Sequence, residues 1–505
     1  MTPPAHHRLL FAAALLLSLA SASAQAAICR ASPTGAGDGS TWAQAAPLAA
    51  ALADAACTEI WLAQGSYSQA ADAEGFRIER DLALYGGFAG TEGALAERPT
   101  PVNARATVLD GQGVRRVLYL DGTTPGGPIT ASTVIDGLSI ANGSAFDHGG
   151  GVLCHGPCSP RITRVVFWDN LAAGSGGALY NRGMSSPHIS YSTFGRNRAG
   201  LHGGAIYNWA AGASASASPT ITHSSFHDNH ATYVGGAIYN DGIHMGTSSP
   251  VIAHSTFSGN TASEGGALYN VGGGGGTSAP QVTASIFWGN TTTGPQINDI
   301  FDASTTVSHS IVEGGFAGTG NLDLDPQLGP LQDNGGPTPT RMPGATGSAI
   351  DAVDCAVTGA TTDQRGAARP QGGRCDIGAV ERRLGNHPLT IDITGHGAVA
   401  GGLTNCAATA AITCAFTYPG EGAPLHLTLA ATPGTGQAFA GWGGACTGTG
   451  ATCTVAIDGA RSVSARFAPT AGPGPAGAQP VPTLGSGALT LLGALLGLLA
   501  LRRRV

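Results

Sequence analysis

The chain has 505 residues, enough for several domains. Glycine is abundant at 79 residues, 42% of the chain is apolar and only 11% is charged, and regularly spaced apolar residues on such a background argue for an all-β solenoid and against a disordered coil. The net charge is −7, every basic residue is Arg or His, and no basic stripe is present, which argues against nucleic-acid binding.

At the N-terminus, His6, His7 and Arg8 precede an apolar run from Leu9 to Ala20 and the small-x-small step Ala24-Gln25-Ala26. This order predicts a signal peptide over residues 1–26, cleaved at the Ala24/Ala26 site. The run falls short of the roughly 20 residues that span a bilayer. Ten cysteines suit an exported chain and fall in near pairs: Cys29 and Cys57, Cys154 and Cys158, Cys355 and Cys375, Cys406 and Cys414, Cys446 and Cys453. Their even number argues for disulfides, and although sequence does not fix connectivity, near-neighbour pairing is the expectation. None of the pairs has zinc-ribbon spacing, and no metal or cofactor is expected.

Ala43 to Ala56 is rich in Ala and Leu and reads as a short amphipathic helix capping the exposed end of a solenoid. Glu59 to Leu62, Leu82 to Phe88 and Thr133 to Ile140 read as strands. Then comes an internal repeat. Gly-Gly pairs begin at Gly150, Gly176, Gly203, Gly235 and Gly265, and four of them continue as Ala-(Leu/Ile)-Tyr-Asn, ending at Asn181, Asn208, Asn240 and Asn270. Each copy adds an aliphatic residue (Ile162, Ile189, Ile221, Ile252, Val282), a Phe five residues later (Phe167, Phe194, Phe226, Phe257, Phe287) and an Asn three after that (Asn170, Asn197, Asn229, Asn260, Asn290). These two spacings never vary, whereas the segment from Gly pair to aliphatic runs from 12 residues (Gly150 to Ile162) to 18 (Gly203 to Ile221). Fixed lengths mark packed strands and corners, and the variable length marks a protruding loop. One copy is therefore one coil of a right-handed parallel β-helix, with like residues stacked about 4.8 Å apart. Phe and aliphatic columns fill its interior, and the Asn column forms an amide ladder at a corner with left-handed geometry. From Gly150 to Asn290 the repeat resembles those of polymorphic outer-membrane proteins, which carry Gly-Gly-Ala-Ile and Phe-x-x-Asn; the first copy departs, with Val152-Leu153-Cys154 in place of Ala-Ile-Tyr.

Beyond Asn290 the pattern decays into Asp323-Leu324-Asp325-Pro326, Asp333-Asn334-Gly335-Gly336-Pro337-Thr338, Thr362-Asp363-Gln364-Arg365-Gly366 and Cys375-Asp376-Ile377-Gly378. This string resembles the choice-of-anchor Q domain, a family that follows β-helices and precedes alternative C-terminal anchors. Asp351, Asp363, Arg365 and Asp376 are expected to pair within a terminal cap, and two carboxylates at Asp323 and Asp325 are weak evidence for calcium. Residues 388–469 alternate as a small β domain, visible in Leu389-Thr390-Ile391-Asp392-Ile393 and Leu425-His426-Leu427-Thr428-Leu429. It is similar to bacterial surface repeat domains, which implies a stalk or spacer. A Pro/Gly/Ala linker over 470–480 leads to Val481-Pro482-Thr483-Leu484, an apolar stretch to Leu501 and Arg502-Arg503-Arg504. The stretch is long enough to span a membrane, with the arginines cytoplasmic. This tail resembles the IPTL-CTERM sorting signal, which implies recognition by an exosortase-like processing enzyme. Val481 stands where that family has Ile, and Gly487 and Ala488 where it has Trp and Gly.

The fold expected is all-β: a parallel β-helix over 27–320, the choice-of-anchor Q-like segment over 321–384, the small β domain, and a C-terminal transmembrane helix within 481–505. Asp169 and Asp228 recur at one coil position, but Arg196, Gly259 and Gly289 interrupt the column, and no catalytic residue is assigned. Gly395-His396-Gly397 reads as a turn. The possible binding column lies two residues after each aliphatic: Arg164, Tyr191, His223 and His254, then Ala284. Adjacent histidines there suit a metal or a pH response, and nearby loops carry Trp209, His244 and Met245. The function expected is that of a binding, adhesin-like or structural protein at the surface or outer envelope of a Gram-negative bacterium, or released from it. Its partners would be glycans or host or neighbouring-cell surface proteins, with the membrane engaged by the C-terminal helix before processing. The alternative is a carbohydrate-active lyase or hydrolase of the pectin-lyase-like fold, which rests on fold analogy.

Overall fold

Each copy of the repeat folds into one coil, and coils stack in register. Ile162 pairs with Ile189, then Ile221, Ile252, Val282 and Val307 in successive coils. Phe167 pairs with Phe194, Phe226, Phe257 and Phe287 in the same way, and Tyr180 with Tyr207, Tyr239 and Tyr269. The structure is a computed structural model describing residues 27–69, 74–210, 212–243, 245–383, 385–401, 404–420, 425–457 and 459–470. These form two units, which divide at Leu384/Gly385.

The first unit is a parallel β-solenoid with three long sheets of ten, nine and eight strands, here called the aliphatic, phenylalanine and tyrosine sheets, and a short fourth sheet. Successive Phe rings lie 4.4–4.7 Å apart and nearly parallel, each contributing about 1.5–3 kcal/mol by burial. The interior amides bond one another in ladders, and among those described only the Asn181 Oδ1 at the start of one ladder is left without a partner. Asn170 Nδ2 donates to Asn197 Oδ1 at 2.9 Å and to Ile140 O at 2.9 Å, while its own Oδ1 accepts from Gly143 N. The ladder continues to Asn290, where Gln296 Oε1 closes it at 2.7 Å. A second ladder links Asn181, Asn208, Asn240, Asn270 and Asp299. A third runs from Ser192 through Ser224, Ser255 and Ser285 to Ser310, each hydroxyl accepting the backbone N–H one coil earlier.

Several details differ from expectation. The Asn ladder is not itself left-handed; the preceding residues Asp169, Arg196 and Asp228 are, with φ of 54–57°. That turn directs the Asn side chain inward. The first copy is in register through Gly149, which pairs with the left-handed position of Gly176; both have positive φ (64° and 67°). Counted from Gly149, its loop equals that of the second copy. Thr133–Ile140 is not one strand: Gly137 (φ 71°) divides Val134–Asp136 from Ser139–Ala141 on different sheets. The cap is a turn over Trp42–Gln44 and a helix over only Leu48–Ala53. Pro47 disfavours helical geometry at Ala46 and so delays its start. Leu48, Ala51 and Leu52 still close the core.

The ten cysteines form five disulfides: Cys29–Cys57, Cys154–Cys158, Cys355–Cys375, Cys406–Cys414 and Cys446–Cys453. The second unit has two four-stranded sheets, Gly385–Thr394 with Ile412–Gly420, Arg461–Pro469 and Gln437–Gly444, and Gly397–Gly401 with Thr404–Ala408, Leu425–Pro433 and Thr452–Ile457. Their inner faces bury Leu389, Ile391, Val399, Leu429, Val455 and Val463. Ala24, Ala26, the linker after Thr470, the sorting residues Val481, Pro482, Thr483 and Leu484 and the expected transmembrane helix lie outside the described residues. No helix among the described residues is long and apolar enough to cross a membrane.

Candidate functional site

The corner between the aliphatic and phenylalanine sheets is a column of left-handed residues. Arg164, Tyr191, His223, His254 and Ala284 have φ of 47–53°, and Gly137 holds the same place one coil before Arg164. Non-glycine side chains at such angles carry strain that the surrounding coil must hold. Here they stack: Tyr191 on His223 at 5.0 Å and His223 on His254 at 5.2 Å, with planes 14° and 12° apart.

The column does not face solvent along its length. Residues 331–383 form a strap over this corner and the phenylalanine sheet. Thr338 Oγ1 donates to Tyr191 O at 3.2 Å, Thr193 Oγ1 to Pro339 O at 2.7 Å and Gly378 N to Ala284 O at 2.9 Å. Gln364 is fully buried against hydroxyls and a carbonyl of two adjacent coils. Its Nε2 reaches Ser192 O (3.2 Å) and Thr193 Oγ1 (2.8 Å), and its Oε1 accepts from Ser225 Oγ at 2.6 Å. His254 is thereby only 2% exposed. Burial and then the nearby Arg369 push His254 down to about 2. Burial, then Arg369, push His223 down to about 4 against the opposing pull of Asp363. Both are neutral near pH 7. Their rings lie face to face, so the in-plane nitrogen lone pairs run parallel and do not converge as two metal ligands would. The expectation of an open binding column is corrected for these two: the chain's own strap covers them.

The strap is pinned by charges. Asp363 pairs with Arg365 at 2.7 Å and also accepts from the Glu381 and Ala367 amides. Arg369 and Glu381 pair at 2.9 Å with both side chains 0% exposed. Asp376 accepts from the amides of Asp351 and Arg382; burial, then Glu381, push it up to about 7. Asp351 meets this network through backbone amides and does not pair with a cation there. The sequence places Arg369 and Glu381 in the choice-of-anchor Q-like string but gives no sign that they pair, because nothing periodic marks a buried pair in a non-repeating segment.

Arg164 and Tyr191 remain at an opening. They line a cleft of about 480 Å³ between residues 95–102 and the strap, with Arg98 and Arg365. Arg98 Nη2 and Arg164 Nε each bond Asp136 at 2.7 Å, and Arg164 Nη2 bonds the same carboxylate. Arg365 is held by Asp363 and by the carbonyls of Asn334 and Glu381. Tyr191 Oη lies 3.2 Å from Thr362 Oγ1. Asp136 and Arg98 were missed from sequence; the cue was a carboxylate immediately before the corner glycine Gly137.

The other candidates resolve individually. Asp169 pairs with Arg196 at 3.0 Å and Asp228 with Arg341 at 3.6 Å, so an arginine opposes each carboxylate. His396 sits in the turn after Gly385–Thr394, and Gly395 has φ 95°. Trp209 ends a strand and packs beneath the Arg182 guanidinium, 5.4 Å from its ring centre. Met245 is exposed, and His244 lies outside the described residues.

The fold defines a β-solenoid built from stacked repeats. Within its coils, residues 223–241 and 254–271 match the Chlamydia polymorphic membrane protein repeat. Residues 388–471 match the divergent InlB B-repeat domain, and 479–504 match the IPTL-CTERM motif. No curated protein and no solved structure matches the chain. A repeat solenoid and a sorting motif on one chain are features of a cell-surface or outer-envelope protein.

Proposed function

We propose that the protein is an adhesin-like binding rod of the outer envelope, exported by the segment ending at Ala26 and sorted through residues 479–504 by an exosortase-like enzyme. The observation that carries this reading is the co-occurrence of polymorphic-membrane-protein repeats in the coils with an IPTL-CTERM motif at the end of the same chain. In this reading the apolar stretch before Arg502 inserts in the membrane until processing. The strap over 331–383 is a choice-of-anchor Q-type cap that closes the side of the solenoid, and residues 388–469 act as a spacer. Glycans or proteins of neighbouring or host cells are the ligands. The solenoid supplies rigidity, and the loops after Tyr-Asn, whose length varies most, supply the contact surface.

The test is expression of the full chain and of a chain lacking residues 479–504 in an exosortase-bearing Gram-negative host. Intact cells or their medium should carry the full chain, shortened at its C-terminus, and the truncated chain should be lost from both. Equal surface labelling of the two forms would sink the sorting reading.

A further inference from the structure

The cleft at the open end of the corner column has an unbalanced charge. Arg98 and Arg164 share one carboxylate, Asp136, which is 2% exposed, while Arg365 has Asp363 to itself. One positive charge is therefore left over. It resides at the mouth: the Arg164 side chain is 39% exposed, against 7% for both Arg98 and Arg365. A guanidinium offers two edges to oxyanions, a side edge of Nε and one Nη, and an end edge formed by both Nη atoms. Asp136 occupies the side edge of Arg164 and thereby fixes the plane of the group. Among the described residues Nη1 of the end edge donates to no group of the chain, and Arg164 lines the cleft.

The rest of the lining has two characters. Thr100, Thr362 and Tyr191 bring hydroxyls, and Leu95, Pro101 and Val102 form an apolar wall. Hydroxyls beside an apolar wall suit a ring that carries both hydroxyls and a C–H face. A volume of about 480 Å³ lies within the range of about 300–1,000 Å³ usual for small-molecule sites.

We propose that this cleft binds a sugar acid, its carboxylate held end-on by Arg164 and its ring lying against the Leu95–Val102 wall. This deepens the binding reading above, since it names a ligand class for one site on the rod, and it assigns no chemical step to the cleft. Asp136 and Arg98 are positioning residues for Arg164.

The test uses the full chain with three probes of similar ring size: D-glucuronate, D-glucose and glucose 6-phosphate, followed by saturation-transfer NMR. Glucuronate should bind about ten-fold or more tightly than glucose, the value of adding charge-assisted hydrogen bonds at one group. Arg164→Gly should bring glucuronate down to the level of glucose, with the circular dichroism of the solenoid unchanged, because glycine already occupies this corner at Gly137. Equal binding of glucuronate and glucose by the wild-type chain would overturn the proposal with no variant needed. Retention of glucuronate binding in Arg164→Gly would also overturn it. Glucose 6-phosphate binding as tightly as glucuronate would overturn the carboxylate assignment and make this a phosphate site. Loss of surface display on removing residues 479–504 bears on sorting alone and leaves these titrations untouched.

Discussion

The coils and the strap that lies on them are held together in opposite ways. In the coils the core contacts are repeated: a Phe touches a Phe above and below, an Asn bonds an Asn, and a Ser hydroxyl accepts from the coil before it. Removing one member damages two neighbouring interfaces and leaves the rest standing, as in other quasi-one-dimensional proteins. In residues 331–383 no contact is repeated. Arg369–Glu381, Asp363–Arg365 and Gln364 with its two coils are each unique. Repetition spreads stability along an axis, and a non-repeating cap concentrates it at a few buried charges.

Two substitutions of similar size should separate these modes. Glu381→Gln leaves Arg369 buried without its counter-ion, and breaking such a pair costs about 3–5 kcal/mol. The loss should be confined to the strap, so limited proteolysis should cut within 331–383 while coils around Phe226 stay protected. Phe226→Ala costs about 3–5 kcal/mol by opening a cavity in the core. Its damage should appear as faster amide exchange in the coils carrying Phe194 and Phe257. Cutting of the strap and coils together in Glu381→Gln would show that the two regions form one cooperative unit.

The same contrast explains what could be read from the sequence. The Phe, Asn and aliphatic columns were legible because their spacing is invariant, so the register of the coils followed directly. The serine ladder was equally visible, two residues before each Phe from Ser192 to Ser285, but serine carries no apolar signal and was passed over. The register of the first copy was misplaced by one residue because three consecutive glycines, Gly149 to Gly151, offer two possible pairs. The strap's seat was illegible. Gln364 meets Ser192 and Thr193 more than a hundred and seventy residues earlier in the chain, and no periodicity links them. The histidines of the corner column were therefore expected at an open face that the strap in fact covers.

Acid should loosen the strap before the coils. His223 and His254 have folded-state values pushed below 6.5, to about 4 and about 2. Between those values and 6.5 the unfolded chain binds protons that the folded one does not, so stability falls as pH falls from about 6.5 toward 4. Asp376 acts in the opposite sense. Its folded value is raised from 3.8 to about 7, so it favours the folded form increasingly as pH falls through that window. These two histidines, with the fully buried His227 pushed down to about 3 by burial and then by Arg341 of the strap, outweigh one carboxylate and leave a net loss on acidification, each proton worth about 1.4 kcal/mol per pH unit. Amide exchange over 362–379 should quicken from pH 6.5 to 4.5, and the double substitution His223→Phe, His254→Phe should remove or reverse that trend while keeping the stack. An unchanged pH profile in this variant would assign the effect to the fully buried His227.

The smallest effect lies where the two modes meet. Tyr191 belongs to the repeating column through its stack on His223, yet its hydroxyl reaches the unique strap at Thr362 Oγ1, 3.2 Å away. Tyr191→Phe keeps the ring, the left-handed backbone and the stack, and removes one hydrogen bond between neutral groups, worth about 0.5–1.5 kcal/mol. Thr362 borders the cleft, so water can satisfy its freed hydroxyl and the cost should fall at the low end. The coils should not register the change at all, whereas the strap should exchange its amides slightly faster around Thr362. If instead the whole solenoid loses stability, the corner stack transmits strap contacts into the coils, and the division between repeated and unique stabilisation fails at this residue. A change confined to residues near Thr362 would place that division at the hydroxyl of Tyr191, with its ring on the side of the coils.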